Sequence, residues 1–283
     1  MSFQVTTAFV DQYSAVLQHL SQQKGSRLRG LCRTEVMRGK QAFFDQIGQQ
    51  VASVRTTRGA DTILNDTPHS RRSVTLQDYE VADLIDDQDR LRMITDPTSS
   101  YAQAQAFALG RAMDDVIISA ATGVAYTGAS GTAQTSLTNT IVAGGTGLTI
   151  DKLREAKFTL DNADVDPSLP RIIVVSPKQI QDLLETVEIR SADFNTVRAL
   201  VAGQVDTFLG FQFVTSTRLA KSGSDRTCFC YAIDGILLAM AKDLTVRVDE
   251  RPDKSYAHQV YACMSLGATR MEEEKVVSII CQE

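Results

Sequence analysis

The side chains able to do chemistry are few, and their spacing favours no reaction. Histidine occurs three times, at His19, His69 and His258, so a nucleophile–base–acid triad has little to draw on. His69 follows Pro68 in a turn-prone stretch and His258 lies in a strand-like one, which assigns both to surface and packing roles. Cys228-Phe229-Cys230 would place two thiols on one face of a strand, but no second Cys or His pair at zinc spacing accompanies them. The five cysteines (Cys32, Cys228, Cys230, Cys263, Cys281) are expected to be buried, inert thiols of a reducing, cytosolic protein. The acidic run Asp78, Glu80, Asp83, Asp86, Asp87 and Asp89 lacks the ligand order and glycine of a calcium loop, so a solvated or partner-facing surface is expected. Gly144-Gly145-Thr146-Gly147 neither follows a strand nor opens a helix, and Gly128-Ala129-Ser130-Gly131 lacks the spacing of a nucleophile elbow. No cofactor, metal or enzymatic reaction is expected.

The composition sets the frame for whatever positions these residues. With 283 residues, 43% hydrophobic and 22% charged, the chain can bury a substantial core. A net charge of -5 removes the global electrostatic case for a dedicated nucleic-acid binder and leaves only local clusters. The start MSFQVTTAFVDQY lacks a signal peptide's basic head and apolar core. The uncharged stretch from Val116 to Ile150 holds six glycines, unlike a membrane span, and no membrane association is expected.

Periodicity then gives the elements. Residues 8–23 read as a short amphipathic helix, and 24–40 as a basic arm with little apolar pattern. VASVRTT and RSVTLQDYEVADL, between Val51 and Asp89, read as a long two-stranded excursion; such a ribbon is marginal alone and needs another surface, expected on a second subunit. Asp96-Pro97 opens the strongest helix, TSSYAQAQAFALGRAMDDVIISAAT, stopped by Gly123. Its expected apolar stripe is Ala102, Ala106, Leu109, Met113, Val116 with Ile117, and Ala120, with Asp114 and Asp115 elsewhere. A Gly/Thr/Ser-rich hairpin follows, then a helix capped by Thr149, the buried strand PRIIVVS, a helix opened by Pro177, and a series of strands with one short helix. The class is α+β.

This order of parts resembles the major capsid protein of tailed bacteriophages, with the Hong Kong 97-type fold. The segment EVADLIDDQDRLRMITDPTSSYAQAQAFALGRAMDDVIISAATG carries most of it, being similar to the family's spine helix and its approach. IDKLREAKFTLDNADV, RIIVVSPKQIQDLL, FLGFQFVTST and GATRMEEEKVVSIICQE are similar to successive later elements. The resemblance implies an N-terminal arm over 1–50, an E-loop hairpin over 51–92, and a spine helix with peripheral-domain hairpin over 93–148. An axial domain over 149–245 and strands returning to the peripheral domain over 246–283 complete it. It further implies an icosahedral shell of hexamers and pentamers around double-stranded DNA, a portal protein, and a possible cement protein. Only about 50 residues precede the excursion, so scaffolding is expected from a separate protein, and Met1 argues against prior processing. Two alternatives stand beside it: an encapsulin-type nanocompartment shell, and an α+β enzyme with an unrecognised site.

Charge suggests where copies meet. Residues 24–40 carry six bases, among them Arg27, Arg29 and Arg33, against one acid, while 78–89 carry six acids, including Asp78, Asp83, Asp86 and Asp87. Three placements stand: the two patches face each other between subunits, they are two solvated faces, or the basic arm touches packaged DNA or scaffold instead. Arg58, Arg71 and Arg72, near the expected tip of the excursion, are candidates for Glu272, Glu273 and Glu274, or for Asp114 and Asp115, of a neighbour. Some capsid relatives join subunits by an isopeptide bond from an E-loop lysine. Here no lysine occurs between Lys40 and Lys152, so no such cross-link is expected.

Overall fold

The computed structural model describes residues 21–59, 61–62, 64–86, 98–185 and 207–283. In chain order its elements are β1 (Arg33–Val36), β2 (Gln41–Ile47), β3 (His69–Thr75), β4 (Gln77–Ile85) and helix α1 (Thr98–Thr122). There follow β5 (Ala125–Thr127), β6 (Ala133–Thr135), β7 (Thr140–Ile141), α2 (Ile150–Asn162), β8 (Arg171–Val175) and α3 (Pro177–Glu185). The chain ends with β9 (Thr207–Phe208), β10 (Phe211–Thr215), β11 (Lys221–Ser222), β12 (Asp225–Ala232), β13 (Ile236–Arg251), β14 (Ala257–Arg270) and β15 (Val276–Gln282). The mixture is the expected α+β class.

The described residues form two compact units. The first comprises 21–26, 78–86, 98–112 and 242–264; the second comprises 27–77, 113–185, 207–241 and 265–283. In the first, β13, β14 and β4 lie side by side in that order. Gln105 of α1, 2% exposed, donates to the Val260 carbonyl and to Asp83, each at 3.0 Å.

The second unit is built on a seven-stranded sheet. Its order is β7-β15-β12-β8-β10-β9, with β11 on β12. The run RIIVV makes β8 a central strand, buried at every position and paired in parallel with β10 and antiparallel with β12. Each such side chain removed from water contributes about 1.5–3 kcal/mol. Thr149 caps α2 by accepting the Lys152 N–H at 3.3 Å, and Leu153, Ala156 and Leu160 bury its inner face. Inside the N-terminus of α2, the ammonium of Lys152 donates to the carbonyls of Ala143, Thr146, Gly147 and Ile280 at 2.8–3.1 Å, which pins the glycine-rich loop.

The α1 boundaries match the expectation, but its buried stripe includes polar groups that the apolar pattern excludes. Asp114 is 1% exposed because its carboxylate accepts the backbone N–H groups of Arg27 and Leu28 at 3.1–3.2 Å. The stretch 24–40 is correspondingly more than an arm. Leu28, Cys32 and Met37 are buried, and β1 pairs in parallel with the start of β13, Arg33 opposite Leu237.

The excursion is also shifted. Its first strand is β2, whose alternation QAFFDQI places Ala42 and Phe44 against Met37, Val74, Leu237, Ala239 and Met271. β2 pairs antiparallel with β3 from Gln41 opposite Thr75 to Ile47 opposite His69, and VASVRTT forms no strand. At the far end of β14, a Cβ on Gly267 would lie 2.4 Å from the Thr75 carbonyl oxygen, so only glycine lets the two backbones pass. DGILLAMAK opens the 16-residue β13, and the expected late helix is replaced by a single 3₁₀ turn at Pro252–Lys254. Residues 8–20 of the first expected helix, Asp87, Asp89 and Pro97 lie outside the described residues.

Candidate assembly surfaces

The hairpin made by β2 and β3 is anchored at its base and exposed beyond it. Gly48 donates to the Pro68 carbonyl at 2.8 Å, and past this point the connection carries its apolar side chains in solvent: Val51 is 77%, Val54 83% and Leu64 90% exposed. Asn65 ties the loop to itself by donating to the Val51 carbonyl. Arg58 sits at the turn with Gly59, whose φ of +81° only glycine takes at little cost.

Arg71 and Arg72 are not at the tip. They lie in β3 at the base, because the strands begin earlier in the chain than alternation around Val51 suggests. Arg71 pairs with Asp45 at 2.6 Å on the neighbouring strand and stacks 5.4 Å over Phe43. That guanidinium holds the Asp45 carboxyl below the usual range. Arg72 turns inward, is 7% exposed, donates to the Met271 carbonyl at 2.7 Å and pairs with Glu273. The guanidinium thus finds one of its three proposed glutamates within its own chain.

Glu273 joins a buried knot. Arg270, fully buried, donates to the carbonyls of Ala121 (3.1 Å), Gly123 (2.8 Å) and Thr135 (3.1 Å) and faces Glu273 at 3.5 Å. Five segments meet at this knot: the end of α1, β3, β6, the end of β14 and the turn into β15. Glu272 pairs with Lys275, which also holds Asp234, each at 2.8 Å, while Glu274 is exposed.

The basic stretch keeps part of its charge for its own chain. Arg27 donates to the Thr215 carbonyl at 2.5 Å, and Arg33 pairs with Glu35 at 2.8 Å. Asp115 holds Arg218. On β4, Asp78, Glu80 and Asp83 are exposed, as is Asp86 just beyond it, and Tyr261 donates to Glu80 at 3.1 Å. All five cysteines are unbridged and buried; burial pushes Cys32 up to about 11 and Cys230 up to about 12. His258, half-buried, stands 3.8 Å from the exposed Glu250, and His69 opens β3. Among the described residues no group of three or more His, Cys, Asp or Glu side chains could hold a metal ion, and no helix is long and apolar enough to cross a membrane.

An exposed hairpin on an anchored base, a 25-residue helix and a seven-stranded sheet are the parts that the comparisons with known proteins share. The chain belongs to the phage capsid protein family, whose model matches residues 5–283. No curated protein matches it significantly. Solved structures share the fold. The capsid of the cyanophage P-SCSP1u matches at TM-score 0.77 with 15% identity, over 100% of this chain and 96% of that one. The head of Helicobacter pylori bacteriophage KHP40 matches at 0.76 with 11% identity, over 99% of each. A chain of Mycobacterium phage Che8 matches at 0.73 with 17% identity, over 96% and 97%. The protein is a structural subunit of a capsid shell, and the family match does not favour the encapsulin alternative.

Proposed function

We propose that the shell is icosahedral, built of hexamers and pentamers, and encloses double-stranded DNA without sequence-specific contact. Portal and scaffolding proteins act as separate partners, and the subunit catalyses no reaction. Exposed apolar residues on the connection 48–68 carry this reading: Val51, Val54 and Leu64 have no core of their own to enter and are suited to a neighbouring subunit. Arg58, Arg29, Asp78, Asp86 and Glu274 are the inter-subunit charges of this scheme. Arg71, Arg72 and Glu273 hold the hairpin base within one subunit. Screening of exposed pairs gives a salt-dependent assembly rate.

Electron microscopy of the expressed chain tests the proposal. Closed particles of uniform size, filled with DNA when a packaging system is present, support it. A small closed oligomer would overturn it.

A further inference from the structure

The first unit carries a pair of nucleophiles, Lys242 and Cys263, outside the residues assigned above to subunit contacts. Lys242 of β13 is exposed, and Cys263 of β14, 9% exposed, lies beneath it with Sγ 2.9 Å from Nζ. This is as short as an N–H···O bond, about 2.7–3.2 Å, although sulfur is the larger atom. Among the described residues Lys242 makes no ion pair, so the thiol is its near neighbour in place of a carboxylate. Tyr261, two residues before Cys263 on the same strand face, is within hydrogen-bonding reach of that thiol and donates to Glu80 of β4 at 3.1 Å. Those two neighbours push the Tyr261 phenol up to about 12, so it keeps its proton and its donor role. A surface pocket lined by Lys242, Arg247, Asp249, Gln259 and Tyr261 admits solvent and dissolved gas beside the pair. The other four cysteines are 7% exposed or less, and no lysine ammonium contacts them within hydrogen-bonding distance among the described residues.

We propose that Lys242 and Cys263 form an oxidative modification site, closing a covalent Nζ–O–Sγ bridge with dioxygen. The ammonium first gives a proton to solvent. The amine and the thiol then each lose one hydrogen, one oxygen atom enters between nitrogen and sulfur, and the other leaves as water with those two hydrogens. Nitrogen and sulfur each give up two electrons, and dioxygen takes up four. The bridge ties β13 to β14 inside one subunit, so it restricts the unfolded chain without joining subunits. As an oxidised sulfur linkage it is opened by thiol reductants.

The test compares full chain held in air with the same protein expressed and purified without oxygen, each digested with an acidic-site protease and weighed at high mass accuracy. The expected result in air is a linked pair of peptides bearing Lys242 and Cys263, heavier by about 14 Da than their sum. Dithiothreitol should return the two unmodified peptides. The bridge should be absent from K242R and C263S, variants that keep the charge and the side-chain shape respectively. A thiol titration supplies a second readout: air should remove one titratable thiol from the denatured wild-type chain and none from K242R. Unlinked peptides in air, or Cys263 oxidised by itself with Lys242 unchanged, would overturn the proposal.

Discussion

The Asp114 carboxylate accepts the backbone N–H of Leu28 at 3.2 Å, across 86 positions of chain. Both of its oxygens also take the Arg27 N–H, while the adjacent Asp115 grips Arg218 in a partly exposed ion pair. Two consecutive acids thus do different work. One is buried and fixes where the N-terminal segment leaves the helix, and the other tethers the loop after β10.

Asp114→Ala leaves two backbone donors without their acceptor and should cost about 1–3 kcal/mol. Asp115→Ala breaks a partly exposed pair and should cost no more than about 1 kcal/mol. Urea midpoints measure both. Trypsin should cut after Arg27 and Arg29 faster in the first variant only; equal rates in both would refute the anchoring role.

Excising residues 51–65 removes a connection whose described residues are exposed, and none of the buried base. Because loop length changes closure entropy by only about 0.6 kcal/mol per doubling, the subunit should unfold at nearly the wild-type midpoint. It should nevertheless fail to close particles. Intact shells under the electron microscope would show that the hairpin tip is dispensable.

Arg270 should be among the least replaceable side chains. Arg270→Ala leaves Glu273 and three carbonyls short of a buried donor, for a loss of about 3–5 kcal/mol. Arg270→Lys should recover part of that, since an ammonium keeps the charge but not the planar fork. Chemical denaturation ranks the three proteins, and a lysine variant as stable as wild type would contradict the geometry.

Acid should weaken one corner of the seven-stranded sheet. Arg226 at 2.8 Å, with Ser176 and Lys221, pulls the Glu283 carboxyl from 4.5 down to about 2. The unfolded chain binds that proton more readily, so the contribution is complete above about pH 4.5 and fades as pH falls toward about 2. Glu283→Gln should flatten this part of the stability–pH curve. An unchanged curve would remove Glu283 as its source.

Mature particles boiled in detergent should give one band near 30.9 kDa. The hairpin has no lysine, and a protonated guanidinium cannot serve as the amine of an isopeptide bond. A ladder of covalent oligomers would show another cross-linking chemistry. The bridge between Lys242 and Cys263, being internal, leaves the band in place.

Elements specified by neighbouring residues were legible in the sequence alone. The limits of α1, the Thr149 cap and the buried run of β8 each depend on residues within about one helical turn or one strand, and a local pattern states them. The order of these elements was enough to suggest a capsid subunit. What depended on distant partners could not be read. Asp114 and Gln105 look like solvent-facing residues on a helical projection until Arg27, Leu28 and Val260 supply their hydrogen bonds. β2 looks like arm until Val74 and Met271 cover Ala42 and Phe44. Arg72 meets Glu273 across 201 positions, and Lys242 meets Cys263 across 21. A polar side chain's place is settled by what satisfies it once water is gone, and that partner comes only from the tertiary structure.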